Sequence, residues 1–479
     1  MSAEILQFER MPLLLFTEMF PSKISPRRNR SISSLPFSGY SLLLCLFVVI
    51  GFCFFPQDSP AHFMKQTLPN GLNFFVLQNP GTISVSVDLW VRVGSRYESS
   101  RTNGISHFVE HLLFKGTTKR KAQDISREVT AVGGSLNAYT QWEYTQLHIS
   151  ILPAHLSLAL DILADMAQNS LMTEEMVEKE RKVILEEISL GKIYPPAYVL
   201  NLVTRTLFPE NPLEMPISGT EETVKSIQRG TLFQFYRTYY FPGNALLTVT
   251  GNIDPAHAQA LIQEKFGSWP RGEERPSLPG APLRQVQFKE VGERKFLDQA
   301  IVILALQAMG LKDRDRAPFE IINAVLGSSG NSRLYQEIRE KKGLSYLVGS
   351  IYYPLSDTGL WGVYVGTDPK NIEQVKSLIL REIGRIQKES LSPQELNDIK
   401  SYIRGRTLIR NENNSSLAEF ISQGLLTEQW EMPEDFLKRL QAVTAEDVKY
   451  VAQTYLREDQ RNFIILKPYP GLSLFRKIF

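Results

Sequence analysis

The sequence predicts an α+β protein of two homologous domains, each a mostly antiparallel sheet covered by helices, behind an N-terminal hydrophobic targeting segment. Three observations predict it. An uncharged apolar run near the N-terminus gives way to alternating, strand-like sequence. A Pro- and Gly-rich stretch then divides the remainder, and the pieces on either side repeat one order of elements. The implied division is 1–61 for the leader and apolar segment, 62–266 for a first domain, 267–286 for a linker and 287–479 for a second domain.

Composition narrows the function classes. A chain of 479 residues has room for two or three domains, and 43% hydrophobic with 22% charged residues excludes disordered and fibrous classes. Lys+Arg 53 against Asp+Glu 51 leaves no electrostatic footprint for nucleic acid. The two cysteines, Cys45 and Cys53, both lie in the apolar run, so the body has no disulfide framework and no thiolate zinc site. Any metal must be held by carboxylates and by the six histidines.

The apolar run, Tyr40 to Phe55, follows Lys23, Arg27, Arg28 and Arg30 and precedes Pro56, Gln57 and Asp58. Basic residues on the N-terminal side alone leave the N-terminus in the cytoplasm and send the rest across a membrane. The body is thus expected to be exported or membrane-anchored, periplasmic in a bacterium. Ser59-Pro60-Ala61 suits cleavage before His62, and both the cleaved and the uncleaved form stay open.

From Met64 the pattern alternates. KQTLPNGLNFFVLQNP predicts a hairpin turning at Asn70-Gly71, and TISVSVDLWVRVGS a following strand. The strand at Ser84 has a counterpart from Ala300, AIVILALQAMGL. The stretch from His155, HLSLALDILADMAQNSLMTEEMVEKERKVILEEI, lies over NIEQVKSLILREIGRIQKESLSPQELNDIKSYIRGRT from Asn371. Each is an amphipathic helix, a Ser-Leu break and a second long helix. Ser392-Pro393-Gln394-Glu395 starts the last one, with Ser at the N-cap, Pro at N1 and Glu at N3.

The chemistry sits on one helix. In GISHFVEHLLFKG, residues 104–116, His107 and His111 are four apart and project from one helical face, a spacing that suits two ligands of one tetrahedral zinc. Glu110 lies beside them, angled away, where a carboxylate can serve a water without ligating. This is the inverted zinc-peptidase order H-x-x-E-H. A third ligand is needed, and EEMVEKERKVILEEI is the best source of a carboxylate. Residue types alone leave Glu186 and Glu187 equivalent.

GISHFVEHLLFKGTTKR, then GGSLNAYT, then EKERKVILEEI resembles the pitrilysin/insulinase-like (inverzincin) zinc metallopeptidases, in the shorter branch that contains mitochondrial processing peptidase and its bacterial relatives. The resemblance runs from about Leu68 to Leu466. It implies a clamshell of the two domains around a chamber, one Zn2+ per chain and peptide-bond hydrolysis. It selects Glu187 as third ligand, about 76 positions beyond His111 and seven after the Glu of an E-R pair, and gives Glu180 a supporting catalytic role. Asn137, Ala138 and Tyr139 match the edge strand that pairs with an extended substrate. Without the resemblance they read as an ordinary strand after the Gly133-Gly134 turn. Arg339 and Tyr346 match a pair that reaches the active site from the far domain.

The mechanism implied has Glu110 taking the proton of a zinc-activated water and returning it to the leaving amine. Tyr346 and Arg339 would then bond the oxyanion or the substrate backbone. The expected substrate is a peptide or an unfolded protein segment. Relatives act as homodimers or as heterodimers with an inactive partner, and both arrangements stay open, as does attachment to a membrane through an uncleaved leader. The alternatives are a non-catalytic scaffold or partner subunit and a metal hydrolase of a non-peptide substrate. The intact motif stands against both. Thr407 falls opposite Glu187 in the repeat, so the second half is expected to hold no metal.

Overall fold

The computed structural model describes residues 63–470 apart from 275, 282–288 and 429. The expected targeting segment lies outside the described residues. Among those described, no helix is long and apolar enough to cross a membrane.

The first sheet contains β1 (Phe63–Thr67), β2 (Asn73–Gln78), β3 (Val85–Val91), β4 (Ser135–Thr140), β5 (Thr145–Ile151) and β6 (Ala245–Gly251), in the order β1-β2-β6-β3-β5-β4. The second contains β7 (Glu290–Lys295), β8 (Ala300–Ala308), β9 (Leu347–Pro354), β10 (Gly359–Thr367) and β11 (Asn462–Pro468), in the order β7-β11-β8-β10-β9. Numbered from β2 and from β7, the two orders are the same, and β1 is an addition to the first. Each sheet is antiparallel except at one pair, β2 with β6 and β7 with β11. The hairpin read at Asn70-Gly71 joins β1 to β2, and Gly71 takes the positive φ of 98° that the turn requires.

Helices fill the space between strands. In the first half they include α1 (Ile105–Leu113), α2 (Leu156–Asn169), α3 (Glu174–Ile193) and α4 (Pro195–Leu207). In the second half they include α5 (Ile372–Lys388), α6 (Pro393–Asn411) and α7 (Asn414–Thr427). The helix–break–helix repeat is therefore α2–α3 and α5–α6. Thr173 caps α3 by accepting from Met176 N–H, and Ser392 caps α6 by accepting from Glu395 N–H at 3.1 Å.

Alternate residues of the strands point to opposite faces, and each face has its own cover. Val85, Val87, Leu89 and Val91 meet the helices of their own half, with Leu160, Leu163 and Ile184 among the neighbours. The opposite faces are covered by an exchange. Val199, Leu202 and Val203 of α4 join Ile301, Ile303, Ile464 and Leu466 of the second sheet. Ile421 and Leu425 of α7 join Phe75, Trp90 and Leu246 of the first. Each half thus lends a helix to the other's sheet.

The hairpin turns meet as well. Residues 141–144, between β4 and β5, touch residues 355–358, between β9 and β10. Tyr353 donates to Gln141 at 3.1 Å, Ser356 N–H and hydroxyl donate to Glu143 at 2.9 and 2.8 Å, and fully buried Arg96 bonds both Glu143 and Asp357.

Candidate metal centre

Helix α1 is held from three sides. Its N-terminus opens at Gly104, whose φ of 92° suits glycine, and an added Cβ would meet Gly219 Cα at 2.8 Å. The buried Glu98 carboxylate accepts from Gly104 N–H at 2.7 Å and Ser106 N–H at 2.9 Å, which satisfies two of the donors a helix start leaves free. Burial pushes the Glu98 carboxyl up to about 7 despite these bonds. Ile105, Phe108, Val109, Leu112 and Leu113 are fully buried and hold the helix in the core. Its remaining face meets α3 and the edge strand β4.

On that face His107, His111 and Glu187 converge, each offering one ligand atom, with all three atoms within 4.8 Å of one another. Glu187 Oε2 lies 3.4 Å from His111 Nε2 and 3.8 Å from His107 Nε2. A tetrahedral zinc at about 2.0–2.2 Å from each ligand separates its ligand atoms by roughly 3.4 Å, so the triad has the right size. Glu186, one residue away, is exposed and takes no part.

The electrostatics suit a cation. Burial lowers His107 to about 4, with the His111 charge adding to it, so this imidazole is neutral and its lone pair is available. Burial also disfavours the charged form of His111, but its bonds to Glu180 and Glu187 outweigh that and raise it to about 10. In the metal-free chain a proton therefore sits where three carboxylates surround one site. Glu180 Oε2 is 3.4 Å from His111 Nδ1, and its other oxygen is 3.0 Å from Lys115 Nζ. Burial raises Glu180, yet His111 and Lys115 together hold it below its usual range. Glu180 thus orients His111 so that Nε2 faces Glu187.

Glu110 is buried one residue before His111 on the same helix. Burial pushes it up to about 7, with Glu187 adding to the rise, while His111 and a 2.7 Å bond from the Thr140 hydroxyl oppose it. A carboxyl near neutrality is what a general base at ordinary pH requires.

Two models of known families match consecutive stretches of the chain, the second beginning inside the first half. That described as insulinase (peptidase family M16) matches residues 74–221, and that described as peptidase M16 inactive domain matches 226–403. An uncharacterized zinc protease of Streptomyces coelicolor is 36% identical over 401 residues, 82% of this chain and 87% of the relative. The chain belongs to the M16 peptidase family. An uncharacterized zinc protease of Bacillus subtilis is 31% identical over 82% of this chain and 96% of its own length. Among solved structures, a protease from Helicobacter pylori superposes with a TM-score of 0.80 at 24% identity, covering 85% of this chain and 100% of that one.

The other residues singled out in the sequence fall in two places. Asn137, Ala138 and Tyr139 lie on β4, the last strand of the first sheet, with its outer edge unpaired among the described strands. Arg339 and Tyr346 lie together in the second half, with Arg339 Nη1 3.3 Å from Tyr346 O and its guanidinium 5.7 Å from the Tyr346 ring. Tyr346 is 84% exposed, and no hydrogen bond or ion pair joins either residue to the His107–His111–Glu187 group. Two residues were missed from the sequence, Glu98 and Lys115, and Thr140 was read only as the end of the substrate-pairing strand. Lys115, four after His111, and Thr140, closing the N-A-Y-T run, carried positional signals. Glu98, buried beneath a helix start, carried none.

Proposed function

We propose that this M16 chain is a zinc-dependent endopeptidase that hydrolyses peptide bonds in unfolded peptides or extended protein segments. The observation that carries the reading is the meeting of His107, His111 and Glu187 around one point, with the Glu110 carboxylate buried on the same helix. The relatives' printed names, zinc proteases, agree with zinc as the metal.

His107, His111 and Glu187 would hold the zinc, and Glu180 with Lys115 fixes the second imidazole. A bound zinc supplies Lewis acidity, which polarises the scissile carbonyl and brings a water's pKa toward neutrality. Glu110 accepts the proton of the attacking water and delivers it to the leaving amine. The open edge of β4 pairs with the substrate backbone, with Asn137, Ala138 and Tyr139 as the pairing residues, and strand pairing demands an extended chain. Arg339 and Tyr346 reach the substrate from the second half as the two homologous domains close on a chamber. The fold is that of the short, processing-peptidase-like branch, working as a homodimer or with an inactive relative. The N-terminal segment exports or anchors the body on the non-cytoplasmic side of a membrane.

The test uses the fragment from His62 onward, purified with zinc and offered a library of quenched peptides, beside Glu110→Gln. Chelator-sensitive cleavage that disappears in the variant, with zinc retained, is the expected result. A wild-type protein that holds zinc but stays silent with the library removes the endopeptidase assignment for the isolated chain. One that holds no zinc overturns the metal centre and leaves a scaffold.

A further inference from the structure

The last residue of β4 stands where the open sheet edge meets the metal-site helix. Thr140 is 2% exposed, and its hydroxyl donates to Glu110 Oε2 at 2.7 Å. Its backbone N–H bears on the same carboxylate. Across the hairpin, Thr145 spends its own proton on Val93 O at 2.8 Å, so the Thr140 hydroxyl has Glu110 as its acceptor. A threonine has few χ1 choices on a strand, so the direction of that hydroxyl is set by the strand itself.

We propose that Thr140 is a positioning residue for Glu110, and that the second half sets its place. The bond occupies one carboxylate oxygen and leaves the other to take the water's proton. The residues that follow Thr140 are gripped from the second half. Gln141 accepts from Tyr353, Trp142 meets the Tyr353 ring edge-on at 5.0 Å, and Glu143 accepts twice from Ser356. Through this contact the turn between β9 and β10 holds the end of β4, and the end of β4 holds the base. A substrate strand added to β4 would run along the same strand that aims Glu110, so binding and base alignment share one element.

The inference rests on the endopeptidase reading, and the experiment separates the two. Wild type must first show chelator-sensitive turnover that Glu110→Gln abolishes; failure there belongs to that reading. Thr140→Val keeps the shape and the backbone N–H but removes the hydroxyl. Its kcat should fall by about tenfold or more, with KM and zinc content as in wild type, and Thr140→Ser should recover most of the loss. Ser356→Ala, in the other half, should lower kcat by a smaller factor with KM again unchanged. Wild-type kcat in Thr140→Val, or equal losses in the Val and Ser variants, overturns the role of the hydroxyl. Wild-type kcat in Ser356→Ala overturns the part assigned to the second half.

Discussion

The two halves share one strand order, one helix–break–helix repeat and a reciprocal loan of helices, yet among the described residues only the first brings ligands together. The difference is confined to two helices. In the first half α1 and α3 turn His107, His111, Glu110, Glu180 and Glu187 toward one point. In the second half the helix that follows β8, Arg316–Asn323, has no histidine, and counted from the Thr173 and Ser392 caps α6 carries Arg406 where α3 carries Glu187, one residue before the Thr407 expected from the sequence. The scaffold is therefore indifferent to the chemistry, and a few side chains on a face the fold already presents decide it. What the second half supplies instead is a cover for the first sheet and a grip on the turn after β4.

The sharpest test of that contrast compares equivalent positions. His111→Ala or Glu187→Gln should reduce bound zinc from stoichiometric to trace and abolish cleavage, whereas Arg406→Ala should alter neither. Metal content by plasma emission spectrometry, read beside peptide turnover, checks both. Zinc retained by both first-half variants would move the metal elsewhere.

The seam between the halves comes next in size. Arg96 and Glu143 are both fully buried, and Arg96 also reaches Asp357 of the second half at 2.7 Å. Removing one partner of a buried ion pair typically costs about 3–5 kcal/mol because the other charge is left unpaired. Arg96→Met should lower the urea midpoint accordingly, without a change in slope if the halves unfold as one. A shift within the scatter of surface substitutions would mean the halves are held by α4 and α7 alone.

Much of this architecture was legible in the sequence. Alternation marked the strands, and the Ser392 cap and the Ser-Leu breaks marked the paired helices, because these signals are local. The H-x-x-E-H spacing marked three site residues for the same reason, since one helical face is set by short-range geometry. Glu187 was not separable from Glu186 by residue type. Only the resemblance chose it, because the choice depends on how α3 packs against α1. The loan of α4 and α7 left no trace either, since an amphipathic helix shows that it has a partner but not which one. Glu98 and Thr140 act through contacts between segments, which no single stretch of sequence records.

A smaller effect separates metal binding from metal-centre shape. Glu180→Gln keeps the hydrogen bond to His111 but loses the charge that Lys115 and the imidazole share, and the expected cost is about 10–100-fold in zinc affinity. Competition with a fluorescent chelator measures it. An unchanged affinity would make Glu180 a partner of Lys115 only.

The smallest expected effect returns to the helix starts, where the halves differ again. Glu98 holds two N–H groups at the start of α1 from a buried site, while at the start of the corresponding second-half helix, Arg316–Asn323, the half-buried Asp313 accepts from Asp315 N–H at 2.8 Å. The Glu98 carboxyl stands at about 7 in the folded chain against an ordinary 4.5. Raised in this way, it binds a proton more tightly folded than unfolded. Its contribution to stability is complete below pH 4.5 and is lost as pH rises through 7. Between pH 5 and 7 that loss is on the order of 2 kcal/mol. Glu110, also raised to about 7, acts in the same direction, and His107, lowered to about 4, acts against both. The difference in pH dependence between wild type and Glu98→Gln isolates the one group, because the amide does not titrate, although its single oxygen can accept from only one of the Gly104 and Ser106 N–H groups. Urea melts of the metal-free proteins at pH 5 and pH 7 should show wild type losing more stability than the variant. Equal losses would mean that Glu98 stays ionised across the range and that its hydrogen bonds from Gly104, Ser106 and Asn103 outweigh its burial.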